Sequence, residues 1–136
     1  MLKAAKLIIE NENQYLMMYR NNHPMFGEDP DLPGGTGEAG ESAVTTVIRE
    51  VEEEIGVTVT PQHVTEVYSG TSYSRSGSHY SLFIASLNEK PEIKMSWEHS
   101  KYTWVDKNDF INIARSANDT YMHMAGDVLE SLEGLA

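Results

Sequence analysis

Cysteine is absent from the 136 residues. That excludes disulfides, thiolate metal sites and a cysteine nucleophile, and it fits a reducing compartment. Basic residues are few: 10 Lys plus Arg stand against 21 Asp plus Glu, a formal net charge of −11. Such a chain repels polyanions unless something positive intervenes, so a plain nucleic-acid-binding surface is not expected. Long apolar runs are missing too. No stretch approaches the roughly 20 consecutive apolar residues of a membrane span. The short run Leu7-Ile8-Ile9 lacks the length and the small-residue cleavage site of a signal peptide, and reads as a strand. No membrane partner and a cytoplasmic location are therefore expected. What remains is ordinary globular usage, 40% hydrophobic and 23% charged, which argues against disorder. The length suits one domain over residues 1–136 with a proper core.

Lys3 to Glu10 and Tyr15 to Arg20 are β-rich runs separated by Asn11-Glu12-Asn13, the turn chemistry of an antiparallel hairpin. From Asn21 to Gly40 the composition shifts to Asn, Pro, Asp, Glu and Gly, and Pro24, Pro30 and Pro33 bar a continuous helix, so a long functional loop is expected. Ser42 to Ile55 contains neither Gly nor Pro and stops at Gly56, which predicts a helix of about four turns. On it Val44, Val47, Ile48, Val51 and Ile55 share one stripe. Val57 to Thr60, Val64 to Tyr73 and Ser78 to Leu87 read as strands, with a turn at Ser74 to Gly77 and shorter strand candidates at Glu92 to Met95 and Tyr102 to Val105. Asn108 to Ala114 suits a small helix. Tyr121, Met124, Val128, Leu129 and Leu132 recur at helical spacing, and Asn118-Asp119-Thr120 reads as that helix's start rather than a glycosylation site. The order predicts a mixed sheet sandwiched between helices.

Chemistry concentrates between Gly35 and Val57, GTGEAGESAVTTVIREVEEEIGV. Glu50 stands three residues before Glu53 and four before Glu54, so the three carboxylates share a helical surface, expected to face outward, within reach of one ion. Crowded carboxylates must raise their pKa values or take up cations. An all-oxygen set suits a hard divalent ion, Mg²⁺ first. Such an ion keeps positions open for water and phosphate oxygens, which lets an acidic protein accept a polyanion and makes phosphoanhydride hydrolysis the natural reaction. Arg49, four residues before Glu53, is placed to fix that carboxylate by a bidentate ion pair.

With five residues between Gly35 and Glu41, seven between Glu41 and Arg49, then Arg49-Glu50-Val51-Glu52-Glu53-Glu54-Ile55-Gly56-Val57, this stretch resembles the Nudix box of the MutT-like Nudix hydrolases. Leu32-Pro33-Gly34-Gly35 ahead of it extends the likeness. The resemblance implies a Nudix-type α/β/α sandwich with a mixed β-sheet between helices. It implies Mg²⁺- or Mn²⁺-dependent hydrolysis of a nucleoside diphosphate linked to another moiety: a nucleoside triphosphate, a dinucleoside polyphosphate or a nucleotide sugar. By position, Glu50, Glu53 and Glu54 would bind metal with the Gly34 carbonyl. Glu50 or Glu53 would orient or deprotonate water, and Arg49 would support them. Gly35, Glu41 and Gly56 would be structural, and Glu98 resembles the additional glutamate some members use. The chain departs from the commonest pattern at Pro30, where many members carry Trp, and at Thr36-Gly37, where Lys or His is frequent.

Other readings compete. An acidic helix face is usually just solvated, and Gly35, Gly37 and Gly40 also spell G-x-G-x-x-G, but Pro33 precedes them and Glu41 opposes a pyrophosphate at the helix start. His23, Phe26, Tyr73, Tyr80, Trp97 and His99 could stack a base or bind phosphate, although isolated aromatics are more often core or rim. His23, Phe26 and Tyr73 are the substrate-contact candidates. Tyr73 sits where some dinucleoside polyphosphate hydrolases of the family carry tyrosine, and the proline associated with ADP-ribose hydrolases is missing nearby. The alternative function is a catalytically silent Nudix-fold sensor that binds nucleotides. A homodimer through a strand edge or the Met-containing C-terminal helix is one expectation, and completion of the monomer by the same surfaces is the other.

Overall fold

A computed structural model describes residues 2–132. In chain order the elements are β1 (Lys3–Asn11), β2 (Gln14–Arg20), β3 (Pro30–Asp31), β4 (Gly34–Thr36), α1 (Ala43–Ile55), β5 (Thr65–Gly70), β6 (His79–Ser86), β7 (His99–Val105), α2 (Lys107–Ser116) and α3 (Thr120–Ser131). Leu7, Ile8 and Ile9 are all buried, which marks β1 as a strand covered on both faces. It runs parallel to β6, Lys3 opposite His79 through Glu10 opposite Ser86. The β1–β2 hairpin forms as expected. Glu12 and Asn13 turn it at positive φ (48° and 65°), the backbone a two-residue loop requires.

Alternation along the strands builds two cores. Leu7, Ile9, Leu16, Met18 and Phe83 pack with Val47, Val51 and Ile55 of α1. Ile8, Met17 and Leu82 pack with Phe110 and Ile111 of α2 and Met122, Met124 and Leu129 of α3. The result is the expected α/β/α sandwich around a mixed sheet.

β1 and β2 pair only next to their turn, at Glu10–Tyr15 and Asn11–Gln14. Beyond it they part. β4 takes the freed edge of β1, with Lys6 opposite Gly34, and β3 takes that of β2, with Met18 opposite Asp31. The Leu7 amide donates to the Pro33 carbonyl at 2.9 Å across the join. This fork opens a cleft, and β7 borders it from the far edge of β2.

Several boundaries differ from expectation. The stretch from Asn21 to Gly40 is not all loop, because it contributes β3 and β4. Val57 to Thr60 is no strand: Val57 and Val59 are buried against the α1 side without a ladder partner. Glu92 to Met95 is no strand either. The Lys94 and Ser96 amides donate to the last carbonyls of α1, Ile55 and Glu54, at 2.9 Å each, satisfying a helix end instead of a sheet edge. β5 stops at Gly70, short of Tyr73. β7 begins at His99, earlier than the expected Tyr102. Among the described residues no helix is long and apolar enough to cross a membrane.

Candidate active site

α1 starts at Ser42, whose side chain accepts from the Thr45 amide, and ends at Gly56 in the left-handed conformation (φ 70°) with its amide donating to Glu52. Arg49 is the hub of the helix's outer surface. Its Nε and Nη2 donate to the two oxygens of Glu41 at 2.7 and 2.9 Å, and its Nη1 reaches Glu50 at 2.9 Å and Glu53 at 3.3 Å. Glu41 also accepts from the Glu38 amide and the Thr46 hydroxyl. Arg49, then those two donors, holds its carboxyl down at about 2. The fork of Arg49 is therefore spent chiefly on Glu41, the glutamate that opens the helix, rather than on Glu53.

The three box glutamates do not share one outward face. The Glu53 side chain is 59% exposed. Glu54, beside the apolar stripe, turns inward to 8% exposure and accepts from the Gly34 amide at 2.8 Å. Burial pushes its carboxyl up to about 7, against the pull of the Gly34 amide and Lys6. Glu50 lies against Gly35, where a Cβ would come within 2.6 Å of its carboxylate. Gly34 is needed for a different reason. At φ 144° it brings β4 so close to β1 that a Cβ would meet the Ala5 carbonyl oxygen at 2.3 Å.

The cleft holds a cavity of about 450 Å³. Two groups line it: Glu50, Glu54 and Glu98 with Gly34 and Gly35, and a second set of Lys6, Arg20, Asp31, Asp119, Tyr80 and Tyr121. Asp31 is the buried centre of the second group. Burial opposes its charge, but Lys6, His99 (Nε2 to Oδ2, 2.9 Å) and Arg20 (3.3 Å) together hold it well below the usual carboxylate range. Arg20 also reaches Asp119 at 2.8 Å. A second cavity, of about 260 Å³, adjoins the first and shares Arg20, Asp31 and Glu98 with it.

Of the residues singled out from sequence, Gly34, Gly35, Glu50, Glu54 and Glu98 thus meet at one cavity. Arg49, Glu41 and Glu53 stand behind it, and Gly56 caps the helix. His23 lines the smaller cavity, and the Phe26 ring lies 5.0 Å from the Arg20 guanidinium. Tyr73 lines neither. Its hydroxyl donates to Asp127 of α3 at 2.7 Å, and its ring packs edge-on against Tyr68. Lys6, Arg20 and Asp31 escaped sequence reading. The available signal was Lys6, a charged residue inside an otherwise apolar strand.

The donors around Glu50, Glu54, Glu98 and Gly34 are all oxygen, with one buried carboxylate short of counter-charge, and this set fits a hard divalent cation. Among the described residues no three carboxylates or imidazoles already stand in ligating geometry, and Arg49 draws Glu50 and Glu53 to itself.

Comparison with known proteins bears on the fold and the family. The ADP-ribose pyrophosphatase of Methanocaldococcus jannaschii is 39% identical over 66 residues, 48% of this chain and 38% of that relative, so the chain spans well under half of the relative's length. The crystal structure of a C. elegans Ap4A hydrolase binary complex superposes with a TM-score of 0.71 at 23% identity, covering 94% of this chain and 93% of that one. A bifunctional NMN adenylyltransferase/ADP ribose pyrophosphatase of Francisella tularensis, solved with AMP and a manganese ion, gives 0.67 at 24% identity over 96% of this chain and 41% of that one. The NUDIX domain model matches residues 2–124, a span that takes in the fork, the glutamate helix and the cavity between them, and the chain accordingly belongs to the NUDIX domain family.

Proposed function

We propose that the protein is a Nudix pyrophosphohydrolase that uses a divalent metal, Mg²⁺ or Mn²⁺, to cleave a phosphoanhydride bond in a nucleoside diphosphate linked to another moiety. The observation that carries this reading is one cavity that brings Glu50, Glu54 and Glu98 together with two cations, Lys6 and Arg20, which Asp31 and Asp119 hold in place. Glu50, Glu54, Glu98 and the Gly34 carbonyl would hold the cation, with Glu53 joining them on release from Arg49. When bound, such a cation supplies neutralisation of phosphate charge and polarisation of the phosphoryl oxygen. Lys6 and Arg20 present donors to the phosphate oxygens farther along the cleft. Glu50 is the base best placed to orient water and take its proton, since Glu53 does not line the cavity. Arg49, anchored by Glu41, is a positioning residue whose Nη1 donates to the Glu50 carboxylate at 2.9 Å.

Support for the reaction class comes from family membership and from the activities of the relatives, an ADP-ribose pyrophosphatase and an Ap4A hydrolase. The manganese in one neighbour supports the metal. The test is phosphate release, coupled to a phosphatase, from nucleoside triphosphates, dinucleoside polyphosphates, nucleotide sugars and ADP-ribose, with Mg²⁺, Mn²⁺ or chelator, beside Glu53→Gln and Glu54→Gln. Turnover should vanish with chelator and fall at least about tenfold in both variants. Undiminished turnover in chelator would overturn the proposal, and metal binding without any turnover would leave a nucleotide sensor.

A further inference from the structure

We propose that the smaller cavity, lined by His23, Pro24, Trp97 and His99, is a subsite that stacks the heteroaromatic base of the substrate, and that Trp97 sets this preference. The inference rests on the reading of the larger cavity as the phosphate site, because the two join through Arg20, Asp31 and Glu98. At about 260 Å³ the smaller cavity falls below the roughly 300–1,000 Å³ of a whole-ligand pocket. It suits one end of a ligand whose phosphates lie next door.

Trp97 is 81% exposed, an unusual state for the side chain with most to gain from burial. Its backbone is nonetheless held. The Asn21 side-chain amide donates to the Trp97 carbonyl at 3.1 Å, and the Asn21 backbone amide donates to the Glu98 carbonyl at 2.8 Å. Upstream, the Ser96 amide is fixed on Glu54. The indole is therefore presented at the cavity by a segment anchored on both sides, next to the Glu98 carboxylate.

The facing loop is equally pinned. His23 and Gly27 exchange backbone hydrogen bonds of 2.8 Å. The His23 Nδ1 accepts from the Met25 and Phe26 amides, at 3.0 and 3.2 Å, which fixes the imidazole and leaves Nε2 as a donor. Phe26 supports the ring from behind at 5.1 Å. Asn22, at φ 50°, adds an amide to the same wall, able both to donate to and accept from a base edge. An exposed indole, a fixed imidazole and an amide beside a phosphate-binding cleft supply the stacking face and the edge hydrogen bonds that a heteroaromatic base uses together.

The experiment is a fluorescence titration in excess chelator of Trp104→Phe, which leaves Trp97 as the sole tryptophan. Adenosine and guanosine monophosphates should quench saturably, and ribose 5-phosphate should not. No quenching, or equal quenching by ribose 5-phosphate, would overturn the proposal. If Trp104→Phe fails to fold, the indole N–H resonance of Trp97, assigned with Trp97→Phe, reads the same titration in the wild-type protein. In turnover, Trp97→Ala should raise KM about tenfold with kcat little changed, the loss expected for one stacked base, and Trp97→Phe should restore it. Quenching without turnover on any diphosphate would keep the subsite and remove the hydrolase reading. Turnover without quenching would do the reverse.

Discussion

Gly34 and Gly35 are neighbours with unlike duties, and alanine separates them. At Gly35 an added Cβ would meet the flexible end of Glu50, which can swing aside. Gly35→Ala should therefore fold with nearly unchanged stability and lose at least about tenfold in turnover as Glu50 is displaced. At Gly34 the obstacle is backbone, the Ala5 oxygen at 2.3 Å and the Lys6 Cα at 2.5 Å. Gly34→Ala should cost about 3 kcal/mol in urea denaturation. The box glutamates could be singled out in the sequence by their helical spacing, but that spacing put all three on one outward face, which the structure divides. The inward turn of Glu54 was not legible, since it stands at the border of the apolar stripe and only the Gly34 amide, supplied by another element, decides its direction.

At the level of elements, Asp127 of α3 ties the turn after β5 through Tyr73 and α2 through Arg115. The Tyr73 hydroxyl, then Arg115, holds Asp127 below the usual carboxylate range, while the hydrogen bond to Asp127 pushes Tyr73 up. A depressed carboxyl contributes stability above its unfolded pKa of about 3.9 and loses it as pH falls through the folded value. A raised phenol contributes below about 10 and loses it as pH rises through its folded value. The Tm gap between wild type and Tyr73→Phe should thus be widest at neutral pH and narrow toward both extremes; a constant gap would contradict the pairing. The hairpin, α1 and α3 were readable from turn residues, caps and periodicity. The two short strands β3 and β4 were not, because two or three residues among prolines and glycines carry no period. At Val57 to Thr60 and Glu92 to Met95 strand-like residues marked burial or extended chain without ladder pairing.

Across the whole molecule, the ion cluster around Asp31 joins four strands: Lys6 from β1, Arg20 from β2, Asp31 itself from β3 and His99 from β7. Removing the carboxylate strands the cations in the fork, so Asp31→Ala should lose about 3–5 kcal/mol, read by chemical denaturation near neutral pH. The depressed Asp31 carboxyl contributes above its unfolded pKa of about 3.9 and stops contributing as pH falls through its folded value, so the deficit should shrink in strong acid. Beyond Lys6 in its apolar strand no local pattern announces this cluster, since its members meet only through pairings between distant segments. The acidic total of −11 conceals it as well.

The parallel ladder between β1 and β6 also governs how the molecule comes into being. During synthesis β1 emerges first, but Lys3 finds its partner only when His79 has been made, and Glu10 only with Ser86. Until then Leu7, Ile8 and Ile9 have one edge and much of their apolar surface uncovered. The apolar strand β1 therefore waits for its parallel partner while the residues between them are made, and this long-range ladder is a late and slow step in building the sheet.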